Sequence, residues 1–365
     1  MPRDAGAMTK QAWRRTWFQV HKWIGLCLAI LVIPLSLSGA ALVWDHTLDR
    51  LANPGRYAVS GTATLPPSRY VAAAQRVLGP GERIASLTWP DGRGPVLVSA
   101  APPAPAKPRP GPPVRTNVYL DPPTARVLDR ASSASGLVRF VHVLHGSLQI
   151  PGWGRTIVGL IGVAMAASCL TGLWLWWPMV GRWARGLRWR RHRHTDTNLH
   201  YLTGFWVALP LFILSVTGVL ISFPVLTGGG GARRPPPALP RERAALDVGM
   251  VVAKAGTLGR GRATAVTWPT TRSADWTVAF GPVRSVKIAD DTGTAVAAPG
   301  RGPGTGGSLV RRIHDGTGMG PVWQAIIFVG GIIPALLAVT GIIMWWRARG
   351  WKAALAARQR ARAAA

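Results

Sequence analysis

Acidic side chains are scarce in this chain: 365 residues carry 14 Asp plus Glu against 43 Lys plus Arg, a formal net charge of +29. Cysteine is scarcer still. Only Cys27 and Cys169 exist, each inside an apolar run, which excludes a disulfide framework and any cysteine-based zinc or iron–sulfur site. There is no Ser-His-Asp order, no His-Glu-x-x-His pair and no glycine-rich phosphate loop, so hydrolase and nucleotide chemistry have no foothold. None of the four long apolar runs contains a carboxylate, which counts against a cation permease with histidine-lined helix breaks. The charge invites a nucleic-acid reading, yet 17 of the 43 basic residues lie in three short segments flanking apolar runs, and nucleic acid is not expected as a partner.

What is abundant is apolar length and tryptophan, of which there are 18. Runs at 23–44, 156–178, 201–226 and 322–346 are each long enough to cross a bilayer. The first is too long for a signal-peptide core, and no small-residue cleavage site follows it, so it reads as a retained helix. The expected fold is an α-helical integral membrane protein with four transmembrane helices and two small α+β modules. The short segments 1–22, 179–199 and 347–365 hold 17 basic residues in 62, whereas the long loops hold 26 in 209. That asymmetry puts residues 1–22, the basic loop 179–200 and the tail 347–365 in the cytoplasm. The modules 45–155 and 227–321 then face outward, which for a bacterial inner membrane is the periplasm. Trp13, Trp17, Trp23, Trp44, Trp153, Trp183 and Trp323 fall near run ends, as an interfacial belt requires.

The chain also repeats itself. His21 precedes Ser38-Gly39 by the same seventeen residues that separate His200 from Thr217-Gly218. His145 precedes Thr171-Gly172 by twenty-six, as His314 does Thr340-Gly341. Leu87-Thr-Trp-Pro90 recurs as Val266-Thr-Trp-Pro269 at offset 179, while Asp121 and Asp290 match at offset 169. The ten-residue difference is supplied by a proline-rich insertion at 101–113, which cannot form a packed element. Each half reads as helix, outer module, helix, related by a pseudo-twofold axis along the membrane normal. Within the modules, helices are expected at 69–79 and 247–258. Strands are expected at 83–89, 96–99 and 116–120, and again at 263–268, 275–280 and 284–289.

Four histidines repeated in register at the ends of apolar runs are candidate ligands, because neutral imidazole is a preferred axial ligand of haem iron. His21 pairs with His200 at the inner face and His145 with His314 at the outer, giving two bis-His haem sites suited to electron transfer. A short amphipathic segment at 138–148 would carry His145 along the membrane surface. His142, three residues earlier, shares that helical face and is an alternative or supporting ligand. Arg139, Arg311 and Arg312 flank the outer histidines, where guanidinium groups could fork onto haem propionates or anchor the surface. Arg14, Arg15 and Lys22 carry the same two readings inside, with topology favoured. His46, His192 and His194 read as surface residues. The Ser/Thr-Gly pairs read first as ordinary close helix packing.

These motifs resemble the PepSY-associated transmembrane family, which includes siderophore-iron reductases and iron-regulated membrane proteins. The resemblance rests on His21-Lys-Trp-Ile-Gly, Asp49-Arg-Leu-Ala-Asn-Pro54, Val143-Leu-His145-Gly146 and Trp176-Trp177-Pro178, with the second-half repeats at His200, Arg312-Ile-His314 and Thr340-Gly341. It implies two PepSY-like periplasmic modules and two b-type haems passing electrons across the membrane from an unidentified donor. The acceptor it implies is a ferric siderophore or other ferric chelate, reduced for iron uptake. The outer loops carry 26 basic and 12 acidic residues, a field that would draw in an anionic chelate. The competing expectation is a non-catalytic, membrane-anchored binding or protease-regulating protein.

Overall fold

The structure, a computed structural model, describes residues 10–103, 114–177, 187, 192–227, 238–281, 284–299 and 309–364. The proline-rich insertion past residue 103, most of the basic loop at 179–200 and Trp183 lie outside the described residues. In chain order the helices are α1 (Lys10–Leu42), α2 (Asp45–Ala52), α3 (Pro67–Gln75), α4 (Leu137–Ser147), α5 (Gly154–Trp176), α6 (Thr195–Ser222), α7 (Val248–Leu258), α8 (Leu309–Asp315) and α9 (Pro321–Ala364). The strands are β1 (Arg83–Thr88), β2 (Val96–Ala101), β3 (Thr116–Leu120), β4 (Val127–Ser132), β5 (Ala265–Thr267), β6 (Asp275–Phe280), β7 (Arg284–Ala289) and β8 (Ala295–Pro299). They fall into two units, Met1–Trp44 with Val141–Gly231 and Leu309–Ala365, and Asp45–Phe140 with Ala232–Ser308.

In the first unit α1, α5, α6 and α9 are long and apolar enough to cross a membrane. Their outer faces are as apolar as their inner ones: Ile30 is 78% exposed, Leu209 66% and Val322 74%. A helix apolar all round needs a nonpolar surround, and lipid supplies it. The helices run well past the apolar runs. The stretch from Lys10 to Lys22 has no Gly or Pro, so the hydrogen-bond ladder of α1 continues through it. His21 and His200, expected ahead of their spans, therefore sit within α1 and α6. α9 likewise continues through the basic tail. α1 and α9 cross closely, with Gly331 of α9 against Ala40 of α1. The Arg14 guanidinium donates to the Leu175 and Trp177 carbonyls at 2.5 and 3.1 Å, capping the C-terminal end of α5. Arg347 on α9 bonds Asp196 and Thr197 in the first turn of α6 at 2.7 and 2.9 Å.

The second unit corrects the expectation of two separate three-stranded modules. It holds one eight-stranded antiparallel sheet in the order β4-β3-β2-β1-β5-β6-β7-β8. The repeated Leu87-Thr and Val266-Thr segments pair with each other: Leu87 lies opposite Val266, with Ser86 opposite Thr267 and Thr88 opposite Ala265. Leu87 and Val266, which stand at the same offset of 179 as His21 and His200, are thus direct partners where the two sets of four strands meet. Pairing β1 with β5 also removes two edges whose unpaired amides would otherwise face solvent. The fourth strands, β4 and β8, escaped notice because Asp129 and Arg130 in one and Ala297, Ala298 and Pro299 in the other blur the alternation that marks a half-buried strand.

Alternate residues of each set face a helix. Val96, Val98, Val118 and Leu120 pack with Tyr70 and Ala74 of α3, while Trp276, Val278 and Ile288 pack with Val251 and Ala255 of α7. Val71, Trp89 and Trp268 touch both clusters and weld them together. A buried carboxylate closes each half. Asp121 accepts from the Ser60 amide and hydroxyl, both at 2.7 Å, and from Thr124. Asp290 accepts from the Ala245 and Leu246 amides and, at 2.7 Å, from Trp276 Nε1. The first half has a further ionic knot. The Arg56 guanidinium, 9% exposed, bridges Asp49 at 2.7 Å and Asp129 at 2.8 Å while lying over the Tyr119 ring.

Candidate cofactor-binding histidine pairs

α1 and α6 bring His21 and His200 together with ring centroids 6.4 Å apart, at 86° to one another. α4 and α8, outside the spans, bring His145 and His314 to 6.1 Å at 38°. Each pair joins one histidine from each half of the chain. Metal–imidazole bonds run about 2.0 Å, and the ring centroid lies about 1.1 Å behind the nitrogen, so one atom gripped between two imidazoles puts their centroids about 6.2 Å apart. Both observed separations sit at that value. His21 and Gly39, which abuts His145, are eighteen residues apart on α1. At 1.5 Å per residue that is roughly 27 Å, close to the depth of a hydrocarbon core.

The Ser/Thr-Gly pairs have a role that sequence reasoning assigned to helix packing. Each receives a histidine from the other spanning helix, or its flanking helix, of the same half. His21 Nδ1 lies 3.0 Å from Thr171 Oγ1, His200 Nδ1 2.9 Å from Thr340 Oγ1, and His314 Nδ1 3.0 Å from Thr217 Oγ1. His145 departs from this pattern: its Nδ1 donates to the Leu35 carbonyl at 2.8 Å, and Ser38 Oγ donates to the same carbonyl. The adjacent glycine makes room for the ring. A Cβ on Gly39 would sit 2.6 Å from His145 Cε1, on Gly172 3.1 Å from His21 Cε1, and on Gly218 3.2 Å from His314 Cε1. On Gly341 it would lie 3.6 Å from His200 Cε1. A metal-bound histidine is held by a second bond from its other ring nitrogen, and all four rings have one.

Beside the inner pair lies a cavity of about 700 Å³ lined by His21, His200, Gly25, Gly172, Gly204 and Gly341, with Lys22, Arg347 and Arg349 also on its wall. That volume is within the range of cofactor sites. Gly25 and Gly204 each stand one helical turn after an inner histidine and are equivalent at offset 179. A Cβ on Gly25 would meet nothing within 4 Å, and one on Gly204 only Leu337 at 3.8 Å. These positions leave open space beside the two histidines that a flat cofactor held between them would need. In the sequence Gly25 entered only as the end of the His21-Lys-Trp-Ile-Gly motif and Gly204 not at all, although the offset that found the histidines also relates the two. Among the described residues no three His, Cys, Asp or Glu side chains gather as a metal cluster.

The outer rings are held neutral, as ligands must be. Burial pushes His145 below its ordinary value, and the nearby His142 adds to that against the bond to Leu35. Burial together with the neighbouring His145 brings His314 down to about 4. His142 itself is exposed, and His145 is the ring that faces His314. Arg139 lies half-exposed on α4, six residues before His145. Arg311 is exposed on α8, while Arg312 turns onto the Thr317 and Gly318 carbonyls and braces the loop into α9. His46 is exposed on α2. His192 departs from the solvated role expected of it: it is half-buried, its ring 4.5 Å from that of Tyr201.

A family model for the PepSY-associated TM region matches residues 18–348. The chain belongs to that family. No curated protein matches it. The matched segment takes in all four paired histidines and all four Ser/Thr-Gly steps of this family member. It makes the chain a multi-pass membrane protein, in keeping with its four apolar helices.

Proposed function

We propose that this protein carries electrons through the bacterial inner membrane and reduces a ferric siderophore or other ferric chelate at the periplasmic face. In this reading His21 and His200 hold one b-type haem and His145 and His314 a second, with both chain termini cytoplasmic. The observation that carries it is the centroid separation, 6.4 and 6.1 Å, of two imidazole pairs drawn from opposite halves. Bound haem supplies a one-electron carrier, and two axial imidazoles leave it no open position for oxygen chemistry. The chain's own residues would position and tune it. Lys22 and Arg349 on the wall of the His21–His200 cavity, and Arg139 and Arg311 on the helices that carry His145 and His314, would serve the propionates. The basic outer loops would attract an anionic chelate, and iron(II) leaves a hard-oxygen chelate more readily than iron(III). The two helix-plus-four-strand sets are taken as PepSY-like modules from a tandem duplication, a reading supported by the shared offsets and strand order.

The test is spectroscopic and vectorial. Protein purified after expression with ample haem should be red, contain two haems per chain and give a reduced bis-His spectrum. Proteoliposomes with a reductant sealed inside should then reduce an external ferric chelate. A colourless protein would overturn the proposal in favour of a membrane-anchored binding module. A red protein unable to reduce any external chelate would overturn the choice of acceptor.

A further inference from the structure

We infer that Thr171, Thr217, Thr340 and Ser38, together with the carbonyl three residues before each, are positioning groups that lock all four paired histidines in the Nδ1–H tautomer. The carbonyls are those of Ser168, Leu214, Leu337 and Leu35. His145 Nδ1 meets the Leu35 carbonyl at 2.8 Å and His314 Nδ1 the Leu214 carbonyl at 3.1 Å. The Ser168 and Leu337 backbones also hydrogen-bond His21 and His200, and Ser168 Oγ lies 3.4 Å from His21 Nδ1. A carbonyl can only accept, so the proton must sit on Nδ1. The hydroxyls enforce the same choice. Thr171 Oγ1 donates to Ala167 at 2.9 Å, Thr217 to Ile213 at 2.8 Å and Thr340 to Leu336 at 2.9 Å. With its single proton spent inside its own helix, each threonine oxygen offers the imidazole a lone pair alone.

The geometric consequence follows from the ring. Nδ1 meets the acceptors of the Ser/Thr-Gly step of the histidine's own half, and Cε1 lies over its glycine. With the proton held on Nδ1, the lone pair of each ring is left on Nε2 for whatever the pair grips. The hydroxyl and the glycine are one device: the first fixes the proton, and the second lets the ring edge approach closely enough to be fixed. The tautomer does not depend on the two-haem reading; only the identity of what the lone pairs grip rests on it. Three of the rings meet a threonine hydroxyl, whereas His145 alone is held by a carbonyl without one.

Two measurements decide it. Histidine-selective ¹⁵N NMR of the haem-free protein in detergent, assigned with single His→Gln variants, should show His21, His145, His200 and His314 protonated at Nδ1. Signals from the Nε2–H form at His21 and His200 would overturn the inference, whether or not the protein ever binds haem. In haem-loaded protein, Thr171→Val with Thr340→Val should weaken retention of one haem by about 10-fold or more and shift its midpoint potential. The other haem should be unaffected, and Thr→Ser at both sites should restore the first. Unchanged potentials and occupancy in the double valine variant would also overturn it. A wild-type protein without haem would sink the proposed function while leaving the NMR result to decide the tautomer.

Discussion

Adding one methyl group at each of the four glycines should remove cofactor in proportion to how closely its histidine approaches. Gly39→Ala puts a carbon 2.6 Å from His145 Cε1, whereas Gly341→Ala puts one 3.6 Å from His200 Cε1. Carbon atoms prefer about 3.5–4.0 Å, so the His145 ring must retreat by about 1 Å and the His200 ring need not move. Metal–ligand distances tolerate only about 0.2 Å, and the His145 ring cannot follow without losing its bond to Leu35. Overpacking of this kind costs about 1–3 kcal/mol, or roughly 5- to 150-fold in affinity for whatever the ring grips. Alanine in place of a helical glycine favours the helix by about 1 kcal/mol, which helps the variant keep its fold. The assay is haem per folded chain, from reduced-minus-oxidised absorbance on detergent-purified protein. Gly39→Ala should fall from two haems toward one, Gly172→Ala and Gly218→Ala should be intermediate, and Gly341→Ala should match wild type. Equal occupancy in Gly39→Ala and Gly341→Ala, or loss only in the latter, would refute the reasoning.

Removing both members of a pair should separate the sites. His145→Ala with His314→Ala should abolish one haem signal and leave the other, and His21→Ala with His200→Ala the reverse; simultaneous loss in either variant would show that the pairing is wrong. Arg56→Ala leaves Asp49 and Asp129 without their shared cation and should destabilise the sheet unit by about 3–5 kcal/mol, read as a lowered thermal midpoint. Asp121 and Asp290 give that unit an acid limit. Burial alone would raise both carboxyls, but bonds from Thr124 and Ser60 to Asp121, and from Ala245, Trp276 and Leu246 to Asp290, outweigh it and hold them below the ordinary value. A depressed folded value means that the stabilisation is complete above about pH 4 and is lost as pH falls through the folded value. The thermal midpoint should therefore hold down to about pH 5 and drop below pH 4, and Asp290→Asn should flatten that slope.

Periodicity and spacing carried much of this protein in plain view. Apolar runs exposed the spanning helices because a bilayer demands length, and registered offsets exposed the histidines because both halves place them alike. Alternation marked β1, β2, β3, β6 and β7, and α4 was legible from its amphipathic spacing. β4 and β8 were hidden by charge, alanine and proline on strands whose pairing comes from a neighbour rather than from their own pattern. The fusion of two modules into one sheet was hidden for the same reason: which edge meets which is settled by hydrogen bonds between segments far apart in sequence.

By itself the sequence determined the four apolar spans, the registered offsets and the four imidazoles, since these depend on composition and on distance counted along the chain. It could not say which histidine faces which, that His145 rather than His142 is turned toward His314, or that Thr171, Thr217, Thr340 and the Leu35 carbonyl hold those rings from neighbouring helices. Those relations arise only when α1, α5, α6 and α9 pack side by side, because a hydrogen bond or a 6 Å ring separation is fixed by helix register across the bundle. No single helix contains that register.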